Sequence, residues 1–219
     1  MKHSVLTSAA NGLAFDKKYW KTVYRDEIDI DGTYNSKDHA RYIASLFTLC
    51  EIEVYSMADF GFGKANLLED FVKLLKPDKV YAIEPSWEMV DKLSKSRWIS
   101  GLDISIIHSS IQDFTILNIE QNPLDFTICN SVFQYIGRDI ENMFQKLSRI
   151  TKYLYFSVPT DKDYDRMKKE LGFNDPYAYQ RPLHFYMEAL KPHFTVVSFN
   201  LLESKCFDST GFPDELYRF

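Results

Sequence analysis

Apolar and polar positions along the chain follow two alternating periods. Short apolar runs typical of strands occupy residues 54–60, 80–83, 104–107, 125–129 and 153–158. Between these runs, apolar residues recur at helical spacing over 64–75, after Ser86 and over 138–150. Strands that alternate with helices make right-handed crossovers, which place helices on both faces of a parallel sheet. The pattern predicts an α/β fold with a doubly wound, mostly parallel sheet.

Three further segments bring the predicted sheet to seven strands with a capping element. A helix is predicted over 182–190, a sixth strand over 194–202, and a short last strand within 206–219. Before the first strand, aromatic residues are interspersed with charges, and a helix is predicted over 36–49. We expect this N-terminal segment to pack on the sheet or to cover the site at its edge.

The length of 219 residues suits one domain with a sizeable core. We divide it into an N-terminal cap at 1–52, a core at 53–160, and C-terminal strands with the substrate side at 161–219. The formal net charge is −5, and the basic runs are too short to form a nucleic-acid-binding stripe. The three cysteines form no metal-site pattern, no stretch is long enough to span a membrane, and no signal core is evident. These features predict a soluble, cytoplasmic protein without a metal, and they leave the oligomeric state open.

The turn after the first predicted strand carries the clearest chemical signal. It includes Asp59, Gly61 and Gly63, and a helix follows directly. Glycine lets the backbone turn tightly and approach a ligand closely, because it has no Cβ. Glu84 ends the next strand, where a carboxylate can accept hydrogen bonds from both hydroxyls of a ribose. Together these residues favour a nucleoside site over an ordinary turn.

The type of nucleoside follows from two departures from the dinucleotide pattern. That pattern has a third glycine where this chain has Asn66. Asp59 would repel a pyrophosphate but attract the ammonium group of a methionine moiety. The turn therefore favours S-adenosylmethionine over NAD.

At this point residues 57–159 resemble the class I S-adenosylmethionine-dependent methyltransferases, which implies their Rossmann-like methyltransferase fold. The family's acid-x-G-x-G-x-G motif is matched by Asp59, Gly61 and Gly63, with Ala65 in the place of the last glycine. By resemblance, Glu84 would hold the ribose. Pro85, after it, would border the adenine.

The resemblance also assigns the two ends of the cofactor. The family's aspartate near the adenine amino group is replaced by Ser110, so Ser110 and the backbone N–H of Ile111 are expected to meet the adenine ring. Asn130, at the end of the fourth predicted strand, would lie beneath the methionine portion.

Methyl transfer to oxygen or nitrogen can need a base to remove a proton. The candidate catalytic residues are Tyr135, His184 and His39, with Tyr135 placed first by resemblance. Tyr24, Gln134 and Arg181 are candidate substrate contacts, since an arginine can grip a carboxylate or phosphate. Each of these residues also has an ordinary structural explanation, as a surface or packing residue.

The function predicted from these features is O-methylation of a small metabolite or glycan precursor. The acidic balance argues against a nucleic-acid substrate. Two alternatives stay open: an NAD(P)-dependent oxidoreductase, and a non-catalytic nucleotide-binding regulatory subunit. Methylation of a protein partner is also compatible with the sequence.

Overall fold

A computed structural model of the protein describes residues 4–7, 15, 17–22, 35–114 and 123–207. The predicted substrate residue Tyr24 and the predicted strand in the C-terminal tail lie outside this part of the chain.

Within the described residues, eight strands form one sheet. They are β1 (Ser4–Thr7), β2 (Ser56–Phe60), β3 (Lys79–Glu84), β4 (Ile104–His108), β5 (Leu124–Asn130), β6 (Thr151–Ser157), β7 (Phe194–Ser198) and β8 (Leu201–Ser204). The order across the sheet is β1-β4-β3-β2-β5-β6-β8-β7. Neighbours from β1 to β6 run parallel, whereas β8 is antiparallel to both β6 and β7. The predicted doubly wound, mostly parallel sheet is confirmed, and the edge strand β1 is an addition to the prediction.

In the described part of the chain, seven α-helices connect or flank these strands. They are α1 (Lys17–Thr22), α2 (Ser36–Leu49), α3 (Asn66–Leu75), α4 (Trp87–Ser94), α5 (Ile140–Ser148), α6 (Asp161–Leu171) and α7 (Leu183–Leu190). A 3-10 turn, Phe133–Tyr135, follows β5. Of the described helices, none is long and apolar enough to cross a membrane.

The helices cover the two faces of the sheet with separate apolar cores. One core contains buried residues of α2, α3 and α4, among them Phe47, Phe71 and Val90. The other contains buried residues of α5 and α7, among them Phe144 and Tyr186. Because both faces are covered, the central strand β5 is buried over six of its seven residues, which explains its continuous apolar run.

Two elements differ from the sequence prediction. The single strand predicted over 194–202 is wrong, because the chain turns at Asn200, where φ is +55°, and returns as β8. Helix α6 was not expected, since its residues are mostly charged and show little apolar periodicity. Its start is fixed by a capping box between Thr160 and Asp163, and Gly172 ends it in the left-handed conformation.

Candidate functional site

The strand order reverses between β2 and β5, and ligands of such sheets bind at the carboxyl ends of the strands beside this point. A cavity of about 530 Å³ lies there. Its wall includes the predicted cofactor residues, which are Asp59, Gly61, Gly63, Glu84, Pro85, Ser110, Ile111 and Asn130. The fold thus brings together all eight residues that were chosen from separate places in the sequence.

The glycine turn is shaped by close backbone approach. The N–H of Gly61 donates to the carbonyl of Ile83 at 2.7 Å, and its φ is +80°. A Cβ at Gly61 would lie 2.5 Å from Cγ2 of Val132, on the segment after β5. Gly63, at φ +52°, has the indole of Trp20 3.4 Å from the position of a Cβ. Both glycines therefore leave room where two chain segments meet across the cavity.

Glu84 lies at the end of β3 and joins that turn to the next helix. Its Oε2 accepts from the N–H of Gly63 at 3.0 Å, and its Oε1 accepts from the N–H of Ser86 at 2.9 Å. The residue is only 3% exposed. Burial raises the pKa of Glu84 from its usual 4.5 to about 7, although the two N–H donors oppose this effect.

Asp59, near the end of β2, is a second buried carboxylate in the same wall. Burial raises the pKa of Asp59 well above its usual value, and repulsion by Glu84 adds to this. Two buried acids that repel each other make this part of the cavity favourable for a positively charged or hydrogen-bond-donating ligand.

The wall after β4 forms the opposite end of the cavity. Ser110 donates its hydroxyl hydrogen to Asp113 at 2.7 Å and accepts from the N–H of Asp113 at 3.1 Å. Nζ of Lys146 donates to the carbonyls of Ile111 and Phe114 at 2.8 and 2.6 Å. This lysine, on α5, holds the loop in place, a role that its sequence position does not indicate.

Among the described N-terminal residues, Phe15, Tyr19 and Trp20 line the cavity. On α1, Nε1 of Trp20 donates to Oγ of Ser86 at 3.0 Å. The hydroxyl of Tyr19 donates to Oδ2 of Asp175 at 3.0 Å, and that of Tyr135 donates to the same oxygen at 2.7 Å. Helix α1 is therefore bonded to two sides of the site.

A smaller cavity of about 250 Å³ adjoins the first and shares Leu67, Asn130 and Ser131 with it. The predicted catalytic residue His39 lines this second cavity. Its Nδ1 lies 2.8 Å from the hydroxyl oxygen of Tyr155, which also accepts from Nδ2 of Asn200 at 3.4 Å. His39 therefore lies beside the candidate cofactor cavity and is oriented by a buried tyrosine.

Three other predicted residues lie elsewhere. Gln134 was expected to contact substrate, but it is 1% exposed and lies outside the wall of both cavities. Arg181 was expected to grip an anion. Its guanidinium instead donates to the carbonyls of Ile136 and Gly137 at 2.8 and 2.7 Å and stacks on the ring of Tyr179, so it braces the turn after β5. His184 is exposed on α7 and lines neither cavity.

Sequence reasoning did not find Asp175, which is 2% exposed and accepts from residues 40 and 156 positions away. Contacts of this separation depend on the folded topology, so local spacing carries no signal for them. Within the described residues, no group of three or more acidic, histidine or cysteine side chains could hold a metal ion.

A family model described as a methyltransferase domain matches residues 57–153, the segment that contains nearly all of β2, β3 to β5 and all eight predicted cofactor residues. This segment is an S-adenosylmethionine-dependent methyltransferase domain. No curated protein sequence matches the chain significantly.

Solved structures share the fold of this methyltransferase at low sequence identity. Magnesium protoporphyrin IX methyltransferase from Synechocystis, with S-adenosylhomocysteine bound, is 16% identical with a TM-score of 0.57, over 85% of this chain and 92% of that one. The plantazolicin methyltransferase BpumL, in complex with a substrate analogue and S-adenosylhomocysteine, is 14% identical with a TM-score of 0.61, over 80% of this chain and 67% of that one.

The geometry of the glycine turn yields a first prediction. Gly61→Ala should destabilise the methyltransferase by about 2–4 kcal/mol, because the new methyl group would strain φ and also collide with Val132. Gly101→Ala is the matched control, since Gly101 has φ +87° but nothing within 4 Å of a Cβ. Urea unfolding of both variants separates strain from collision, and equal losses would contradict the close approach at Gly61.

The buried acid yields a second prediction, on stability. A carboxyl whose pKa is raised on folding stabilises the folded state below its unfolded pKa of about 4.5, and this advantage is lost as the pH rises through about 7. Glu84→Gln carries no such dependence. Between pH 4.5 and pH 8 the stability of the ligand-free variant relative to the wild type should therefore rise by about 3 kcal/mol. Thermal unfolding across this range measures it, and a constant difference would be inconsistent with the raised pKa.

Proposed function

We propose that the methyltransferase holds S-adenosylmethionine in the larger cavity and transfers its methyl group to an oxygen of a small molecule. The observation that carries the proposal is the buried Glu84 carboxylate at the end of β3, beside the glycine turn. In this arrangement Glu84 accepts from the ribose hydroxyls. Ser110, Ile111 and Pro85 border the adenine, while Asp59 and Asn130 lie at the methionine end.

The residues present fit this cofactor. The two buried acids suit a ligand with a net positive charge. When bound, the cofactor supplies a methyl group on a positively charged sulfur, which is the electrophile of the reaction. The protein then has to bind the acceptor, orient it and exclude water from the site.

The adjoining cavity is proposed as the acceptor site. It shares Asn130 and Ser131 with the cofactor cavity, and its volume of about 250 Å³ suits a small molecule. His39 lines it. When Nδ1 of His39 carries the ring proton and donates to Tyr155, Nε2 has the lone pair needed to take a proton from the acceptor.

Tyr135 is a weaker candidate for the base than the sequence indicated. Its hydroxyl donates its hydrogen to Asp175, and a neutral phenol has little basicity near pH 7. We therefore assign proton removal to His39. The net charge of −5 supports a small molecule over a nucleic acid as the acceptor.

Binding calorimetry tests the cofactor, with NAD as the competing ligand. We expect S-adenosylmethionine and S-adenosylhomocysteine to bind and NAD not to bind. Glu84→Gln should weaken cofactor binding by about 1–3 kcal/mol, since a carboxylate that accepts from both hydroxyls is replaced by a neutral amide. Lowering the pH from 8 to 6 should weaken wild-type binding about tenfold, because Glu84 takes up a proton near pH 7.

Glu84→Gln should lose this pH dependence of cofactor binding. Binding of NAD alone would favour an oxidoreductase and refute the proposal. Unchanged affinity in folded Glu84→Gln would remove this residue from the site.

Transfer of a labelled methyl group from S-adenosylmethionine into a deproteinised metabolite extract tests the reaction. We expect labelled small-molecule products, and we expect His39→Asn to reduce their rate of formation by about 10²-fold or more. His184→Asn is the matched control, because this exposed histidine lies outside both cavities.

Equal effects of the two histidine variants would contradict the role of His39. Cofactor binding without any labelled product would favour a regulatory subunit over an enzyme of small-molecule metabolism.

A further inference from the structure

The hydroxyl oxygens of Tyr19 and Tyr135 and the carboxylate oxygen Oδ2 of Asp175 form a cluster beside the wall of the larger cavity. The hydroxyl oxygens of Tyr19 and Tyr135 are 2.8 Å apart, and both lie within 3.0 Å of Oδ2 of Asp175. The other carboxylate oxygen, Oδ1, accepts from the N–H of Tyr177 at 2.9 Å. Among the described residues, the partners of the Asp175 carboxylate are two hydroxyl groups and one backbone N–H, all of them neutral.

The negative charge of Asp175 is not balanced by these partners, and the two tyrosines that donate to it line the cavity. A hydroxyl group that donates to a carboxylate is polarised, so its oxygen becomes a stronger acceptor on the far side.

The aromatic rings around the cluster also favour a positively charged ligand. Those of Phe15 and Tyr19 are 5.1 Å apart, those of Phe15 and Tyr135 5.0 Å, and those of Tyr19 and Tyr177 5.8 Å. Aromatic faces attract cations at such sites.

The cluster overlies the end of the cavity that we assign to the methionine moiety. Tyr135 lies in the turn that directly follows Asn130, and Val132 of the same segment contacts the glycine turn at Gly61. Trp20, next to Tyr19, lies over Gly63. All of the ring-bearing members of the cluster line the cavity wall, whereas Asp175 stands behind them.

We propose that Tyr19, Tyr135 and Asp175 recognise the positive charge on the sulfur of the cofactor and so favour S-adenosylmethionine over S-adenosylhomocysteine. This inference rests on the proposed function, since it requires that the cavity holds this cofactor. Methyl transfer leaves a neutral sulfur, so the attraction ends when the reaction is complete. The cluster would thereby favour exchange of the spent product for fresh cofactor.

The test compares the affinities of three ligands by calorimetry in folded protein. They are S-adenosylmethionine, S-adenosylhomocysteine and sinefungin, an analogue with an amine-bearing carbon in place of the methylsulfonium. Asp175→Asn should weaken binding of the two cationic ligands about tenfold and that of S-adenosylhomocysteine by less than about threefold. Tyr135→Phe, which keeps the ring, should show the same selective loss at a smaller size.

Tyr164→Phe is the control. Tyr164 packs with Tyr19 but does not line the cavity, so this variant loosens the support of the cluster without removing any of its three oxygen atoms. Circular dichroism checks that each variant is folded. If Asp175→Asn is not folded, Tyr135→Phe replaces it in the comparison. Equal losses for charged and neutral ligands in the cluster variants, or a selective loss in Tyr164→Phe, would overturn the inference. If the wild type bound none of the three ligands, the proposed function would fail as well, so the two failures are distinguishable.

Discussion

The buried carboxylate of Glu84 is the constraint on which the site depends. Its two oxygens accept from Gly63, in the turn after β2, and from Ser86, just before α4. One side chain thus fixes the end of one strand against the turn of its neighbour. A neutral residue there would remove the cost of burying an ionised acid, but it would also remove the acceptor around which the cavity is built. The site is therefore maintained at the expense of stability above neutral pH.

Much of the fold was predictable because its information is local. Strands β2 to β6 are short apolar runs between amphipathic helices, and their period alone identifies them. The residues that line the larger cavity were predictable for a related reason. Asp59 and Glu84 end neighbouring parallel strands, and parallel strands bring their carboxyl ends to the same edge of the sheet.

The rest of the fold and of the candidate site depends on features that the apolar periodicity of the sequence does not encode. The turn at Asn200 interrupts a continuous apolar segment, and only the left-handed backbone of that residue separates β7 from β8. The two histidines on helices, His39 and His184, had equal claims in the sequence, and only the packing of α2 against β6 gives one of them a buried hydroxyl partner. Asp175 accepts from two hydroxyl groups on distant segments, so no spacing within the chain reveals it.

Helix α1 carries Tyr19 and Trp20, which line the larger cavity, so the stability of this helix is coupled to ligand binding. Helix α1 has six residues, which is too short for a helix to be stable alone. Its neighbouring side chains Tyr19 and Trp20 bond to Asp175 and Ser86, on two sides of the cavity. The position of the helix therefore depends on contacts with the very walls that a ligand would touch. A ligand that packs against Tyr19 and Trp20 binds more tightly when α1 is ordered. The bound ligand stabilises α1 by the same free energy, because such coupling is reciprocal.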